Sequence, residues 1–240
     1  MDNTLMREFI SKFLGYGSFE NSFWCVGMEE GGGFCECEIK TRLDVWNQNR
    51  QPALLDVVDF HRAVFPDNSP VDRLQKTWSG LIKIFLSAWP SDKHSNDIIH
   101  FQQTRLGSSK CPGITLLELF PLPSPGISSW NYGQWSDISF LNSRNSYKKA
   151  IKNDRIALLK GIIEEHHPKV IIFYGLSYRR YWEQITSSVF IQDQESKAFF
   201  SESENSIYAL IKHPARGTSN SYLELVGKQL RERADKKPAR

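Results

Sequence analysis

Four short apolar runs constrain this chain most: Phe23–Met28, Ile114–Phe120, Val170–Tyr174 and Ile207–Ile211. Each holds five to seven residues rich in branched and aromatic side chains. Breakers bound them: Glu29, Glu30 and three glycines after the first, prolines around the second, Gly175 after the third, and Lys212-His213-Pro214 after the fourth. Such runs predict strands. Their continuity, without apolar–polar alternation, suits strands buried on both faces of a parallel sheet. Helical spacing fills the gaps at Leu54–Phe65, Val71–Trp89, Asn145–Glu165, Leu176–Ile185 and Ser221–Arg233. In the second of these, Leu74, Trp78, Leu81, Ile82 and Phe85 recur at steps of three and four. In the third, Ile151, Leu158, Leu159, Ile162 and Ile163 share a face. Strands alternating with helices predict an α/β fold, a three-layer α/β/α sandwich around a four-stranded parallel sheet. Residues 1–240 read as one domain, with a helical insertion near 50–90 and a basic C-terminal tail.

Composition excludes other classes. With 40% hydrophobic and 24% charged residues, the chain is neither disordered nor collagen-like. No apolar run approaches the roughly 20 residues of a membrane span. The start, MDNTLMREFISKF, lacks the basic region, apolar core and cleavage site of a secretory signal, so a soluble cytoplasmic protein is expected. The four cysteines then read as free thiols, since Cys35-x-Cys37 with Cys25 in a strand does not match cluster spacing. No metal and no cofactor are expected. The net charge of +3 is uneven. Lys228–Arg240 carries six basic against two acidic residues, leaving 24 basic and 25 acidic of the total 30 and 27. Anion binding would therefore need a local patch, the tail, or both; a solvated helix end is the plainer reading of the tail.

Ligands of such sheets bind beyond the carboxyl ends of the strands. The residues there are Gly27-Met28-Glu29-Glu30-Gly31-Gly32-Gly33-Phe34, then Glu118 to Pro125, Gly175, and His213 to Asn220. Each has a plain structural alternative. The glycines could form a flexible turn, Glu29 and Glu30 could be surface acids, His213 a structural histidine and Phe34 a core residue. Glu118 inside an apolar run needs either a partner or a place at the strand mouth. Trp130, Tyr132 and Trp135 could stack on nucleic acid or pin their own loop. Trp24, Trp46, Trp78, Trp89 and Trp182 read as packing residues, and His166-His167-Pro168 as surface.

The order of these segments resembles the uracil-DNA glycosylase superfamily. Gly27-Met28-Glu29-Glu30-Gly31 is similar to its first motif, G-x-x-P-G. Glu118-Leu119-Phe120-Pro121-Leu122 resembles the Asn-x-x-Pro-Leu segment of the single-strand-selective branch, and His213-Pro214-Ala215 the closing His-Pro-Ser. The resemblance implies a parallel sheet in the order 2-1-3-4 and a DNA glycosylase-like hydrolase of DNA repair, which extrudes a base and cleaves its N-glycosidic bond. The departures are Glu30 for the motif's proline, Glu29 for the water-polarising Asp or Asn, Glu118 for the base-reading Asn, and Ala215 for Ser. Glu29 would then orient water and His213 would stabilise the departing base. Gly27, Met28, Phe34 and Glu118 would hold the base. Gly31, Gly32, Gly33, Arg216, Ser219 and Asn220 would contact nucleic acid. An ionised Glu118 offers only acceptors and would turn base choice from uracil toward an exocyclic amine; a protonated one regains a donor. The implied partner is DNA, single- or double-stranded, bound by a monomer away from any membrane. A non-catalytic nucleic-acid-binding module on the same fold is the alternative. An unrelated phosphate-loop enzyme is disfavoured, because no G-x-x-x-x-G-K-[ST] is present.

Overall fold

All four apolar runs become strands, and all four are parallel. A computed structural model describes residues 1–90, 97–126 and 128–237. The central strands are β2 (Phe23–Gly27), β4 (Ile114–Glu118), β5 (Val170–Tyr174) and β8 (Ile207–Ile211). They lie side by side as β4-β2-β5-β8, the second run beside the first, then the third and fourth. In register, Phe23 faces Ile114 on one side and Val170 on the other, and Gly27 meets Glu118. Nearly every residue of the four is buried, which explains the missing alternation.

The sheet is larger than the four strands expected: it has eight. On one flank β1 (Gly15–Tyr16) runs antiparallel to β4, and β3 (Leu54–Leu55) joins β1. On the other flank β7 (Phe199–Glu202) runs antiparallel to β8, and β6 (Ile191–Gln192) completes the edge. These additions are two to four residues long, too short to register as a period.

Helices cover both faces. They are α1 (Asn3–Lys12), α2 (Glu36–Gln48), α3 (Val57–Val64), α4 (Lys76–Ala88), α5 (Ile98–Thr104), α6 (Tyr132–Trp135), α7 (Arg144–His166), α8 (Arg179–Thr186) and α9 (Asn220–Asp235). Phe23 packs edge-on against Phe85 of α4 and against Trp89, with centroids 5.2 and 5.5 Å away. Helix α4 packs in turn on α9. Phe173, on the opposite face by register, stacks on Trp182 of α8 at 5.1 Å, and α8 packs on α7. The segment read as an insertion near 50–90 thus supplies α3, α4 and the edge strand β3, built into the sheet and its cover. Leu74 does not join the face of α4: it precedes that helix and is 53% exposed. Helix α2, not among the expected helices, turns Ile39, Leu43 and Trp46 inward at steps of four and three, beside the buried charges Glu38 and Arg42.

Two cysteines depart from the free-thiol expectation. Cys35 and Cys37 form a disulfide, and the Cys35 sulfur caps α2 by accepting from the Glu38 N–H. Cys25 is free and buried, Cys111 free and exposed. Among the described residues no helix is long and apolar enough to cross a membrane.

Candidate functional site

The carboxyl ends of β2, β4, β5 and β8 open into one cleft of about 1150 Å³. Met28, Glu29, Glu30, Gly31, Gly32, Phe34, Glu118, His213 and Arg216 all line it, as do Arg144, Tyr174 and Gly175.

Its floor follows from the parallel register. Glu118 ends β4 directly opposite Gly27 of β2. The Tyr174 hydroxyl, from the end of β5, donates to Glu118 Oε1 at 3.3 Å. A Cβ at position 27 would lie 2.1 Å from that hydroxyl and 2.7 Å from Glu118 Oε2, so only glycine admits the pair. Oε2 is buried and has no hydrogen-bond partner. Burial pushes the Glu118 carboxyl well above its ordinary range, and the nearby Glu30 charge pushes further. The Tyr174 hydrogen bond and the Arg155 charge oppose this and are outweighed; Arg155 of α7 makes no contact with the carboxyl, its Nε and Nη2 donating to the backbone carbonyls of Leu119 and Glu118. Glu118 is therefore held as the neutral acid, with one donor and one acceptor. Burial and then Glu118 likewise push the Tyr174 phenol up, so it too stays protonated.

Glu29 and Glu30 have opposite fates. Glu30 accepts from Tyr16 Oη at 2.7 Å and from both Arg42 Nη atoms at 3.1 and 3.2 Å, and meets His61 Nε2 at 2.7 Å. Burial opposes its charge, but Arg42 and His61 outweigh it and hold the carboxyl well below the usual carboxylate range. Four contacts from three partners make Glu30 an organiser of the β2–α2 loop. Glu29 instead pairs with Arg144, at the start of α7. Its second oxygen, Oε2, is buried without a partner, and so is Arg144 Nε.

The glycine loop is anchored rather than open. Gly33 and Phe34 donate their N–H groups to the two oxygens of Glu38 at 2.9 and 3.0 Å, and Arg42 Nε holds the same carboxylate at 2.9 Å. Gly33 sits at φ 73° with a would-be Cβ 2.8 Å from the Pro123 carbonyl. Its N–H thus serves α2 and is not offered to a phosphate. Gly31 and Gly32 stay on the cleft wall, and Phe34 is 72% exposed at its rim.

His213 stands edge-on to Tyr174, centroids 5.6 Å apart. Its Nδ1 accepts from the Ala215 N–H at 3.3 Å, which leaves the neutral ring's proton on Nε2. Burial, then the Arg216 charge, push its pKa down. Ser219 and Asn220 are used elsewhere: Ser219 Oγ caps α9 and Asn220 Oδ1 accepts from Lys83 Nζ at 2.7 Å.

The basic tail lies at the other end of the molecule. Helix α9 leaves the cleft and runs 16 residues, roughly 24 Å, toward the amino ends of the strands. There Lys237 donates to the carbonyls of Ser203 and Ser206, and Arg233 pairs with Glu202 at 3.2 Å. Residues 238–240 lie outside the described residues. The patch at the cleft is a different one: Arg73, Lys76, Lys212 and Arg216, all exposed and none in an ion pair among the described residues. Trp130 stacks on Tyr147 at 4.9 Å and donates to the Leu141 carbonyl, while Tyr132 donates to that of Pro123. These aromatics pin their loop.

Sequence reasoning missed Tyr174, Arg144, Arg42, His61 and three of the rim cations. Tyr174 ends an apolar run and could have been read as a site position; Glu38 and Arg42, four apart on α2, carried a weaker signal. Nothing local marks Arg73, Lys76 or Arg144. Among the described residues no three His, Cys, Asp or Glu side chains gather as metal ligands. Compared with family models, curated proteins and solved structures, the chain matches none.

Proposed function

We propose that this chain, acting as a monomer, takes an extruded base of a DNA strand into the cleft and hydrolyses its N-glycosidic bond. One observation carries the reading: Glu29, Glu118 and His213 share a single cleft at the carboxyl ends of the sheet, inside a rim of cations without ion pairs among the described residues. The cations suit phosphates, which position a strand without reading its sequence. Phe34 at the rim suits stacking. Glu29 Oε2, buried and without a hydrogen-bond partner among the described residues, suits a water molecule. In the step, water oxygen bonds to C1′ of the sugar and the C1′–N bond breaks, its electron pair leaving with the base. Glu29 takes the water's proton, His213 Nε2–H hydrogen-bonds the departing base anion, and the base then takes a proton from solvent as Glu29 returns its own. The neutral Glu118 supports an exocyclic oxygen on the base over an exocyclic amine, since its hydroxyl is a donor.

The test is incubation with single- and double-stranded oligonucleotides carrying uracil, hypoxanthine, xanthine or alkylated bases, read as abasic product. Product that disappears in Glu29→Gln supports hydrolysis. A second reading, a non-catalytic nucleic-acid-binding module, is favoured by the Arg144 pairing, because the arginine occupies one oxygen of Glu29. Oligonucleotide binding with no abasic product across the panel selects it.

A further inference from the structure

We infer that Arg144 is an exchangeable counter-ion, which a phosphate group entering the cleft draws away from Glu29, so that strand binding itself releases the carboxylate.

The geometry of Arg144 supports exchange. Its side chain is 10% exposed, yet its donors are poorly used. One Nη2 contact goes to Glu29, Nη1 reaches the Gly126 carbonyl only at 3.5 Å, and Nε has no partner. Guanidinium binds phosphate through two parallel N–H bonds, a fork that Nε and Nη2 form together. Half of that fork is vacant and the other half rests on one carboxylate oxygen.

The surroundings favour an anion over what is there now. Arg144 is the first residue of α7, a 23-residue helix whose positive end disfavours a cation and attracts an anion. One turn on, Lys148 lies half-buried over the rings of Phe120 and Tyr178, with no anionic partner among the described residues. Burial, then Arg144, lower its pKa to about 8. Two cations thus stand at one helix start, and among the described residues only Arg144 has a carboxylate, Glu29. A phosphodiester in the cleft would satisfy Arg144 and the helix end and relieve its repulsion of Lys148, leaving Glu29 with both oxygens free.

The use of the freed carboxylate rests on the proposed hydrolysis; the exchange does not. The test measures binding of inorganic phosphate to the full chain by calorimetry. Glu29→Gln keeps the shape but removes the competing charge, so exchange predicts about tenfold tighter phosphate binding than wild type. Arg144→Lys keeps a charge but loses the fork, and predicts about tenfold weaker binding. Equal affinity in wild type and Glu29→Gln overturns the exchange, because a merely structural ion pair would not compete with phosphate. Unchanged affinity in Arg144→Lys overturns it too. Tighter binding in Glu29→Gln without any abasic product from the wild type keeps the exchange and removes the hydrolase reading; product with no phosphate response does the reverse.

Discussion

Replacing Glu118 by Gln should change how stability depends on pH, by an amount set by linkage. An unfolded carboxyl titrates near about 4.3. The folded Glu118 titrates well above that, through burial and then the Glu30 charge. Between the two values the folded chain keeps a proton that the unfolded chain has released. The stability it contributes is fully present below about pH 4.3 and is lost as pH rises toward the folded value. The slope is about 1.4 kcal/mol per pH unit. Gln has the donor and acceptor of the neutral acid and cannot ionise, so it can keep the Tyr174 hydrogen bond without the slope. For each pH unit between the two values the variant should gain about 1.4 kcal/mol on the wild type, or about 3–6 °C in melting temperature. Denaturant unfolding of both proteins at several pH values reads this directly. Titrations of Glu30 and His213 occur in both proteins and cancel in the difference. Two parallel stability–pH curves would refute the argument that Glu118 is buried neutral.

The opposite sign is expected at Glu30, whose folded carboxyl is held low. Its contribution is present above about pH 4.3 and lost as pH falls, so Glu30→Gln should cost about 3 kcal/mol near neutrality and less at pH 3, by the same unfolding assay. Glu29→Gln should lower the rate of any base excision by about 10²–10⁴-fold in single-turnover measurements. Lys212→Ala and Arg216→Ala should each reduce the salt slope of oligonucleotide binding by about 0.7–0.9, whereas Arg233→Ala, at the far end of α9, should leave it unchanged. Gly27→Ala should destabilise by about 1–3 kcal/mol, because its Cβ drives Tyr174 from Glu118; a calorimetric scan checks it.

The central sheet was legible because its strands are buried on both faces, so burial alone wrote four apolar runs into the sequence. The flanking strands were not. Gly15–Tyr16, Leu54–Leu55 and Ile191–Gln192 have two residues each, and their pairing depends on the neighbouring strand rather than on a pattern of their own. Helix α2 was hidden for a related reason. It buries Glu38 and Arg42, which read as surface in a list of residues and become interior only because they bind each other and the loop beside them.

The site divides along the same line. By itself the sequence determined which residues stand at the strand ends, because breakers after the runs fix where each strand stops. That was enough to name Glu29, Glu118 and His213 together. Tertiary structure decided what each of them is. Two glutamates adjacent in sequence acquired different partners, Glu29 taking Arg144 and Glu30 taking Arg42, His61 and Tyr16. Glu118 is pushed toward its neutral form because burial and then the Glu30 charge outweigh the Tyr174 hydrogen bond and the Arg155 charge. The charged tail, conspicuous in the sequence, was carried by α9 to the opposite end of the sheet, while scattered single residues met as the cationic rim. Protonation, pairing and charge clustering depend on distances between segments far apart in the chain, and only the fold sets those distances.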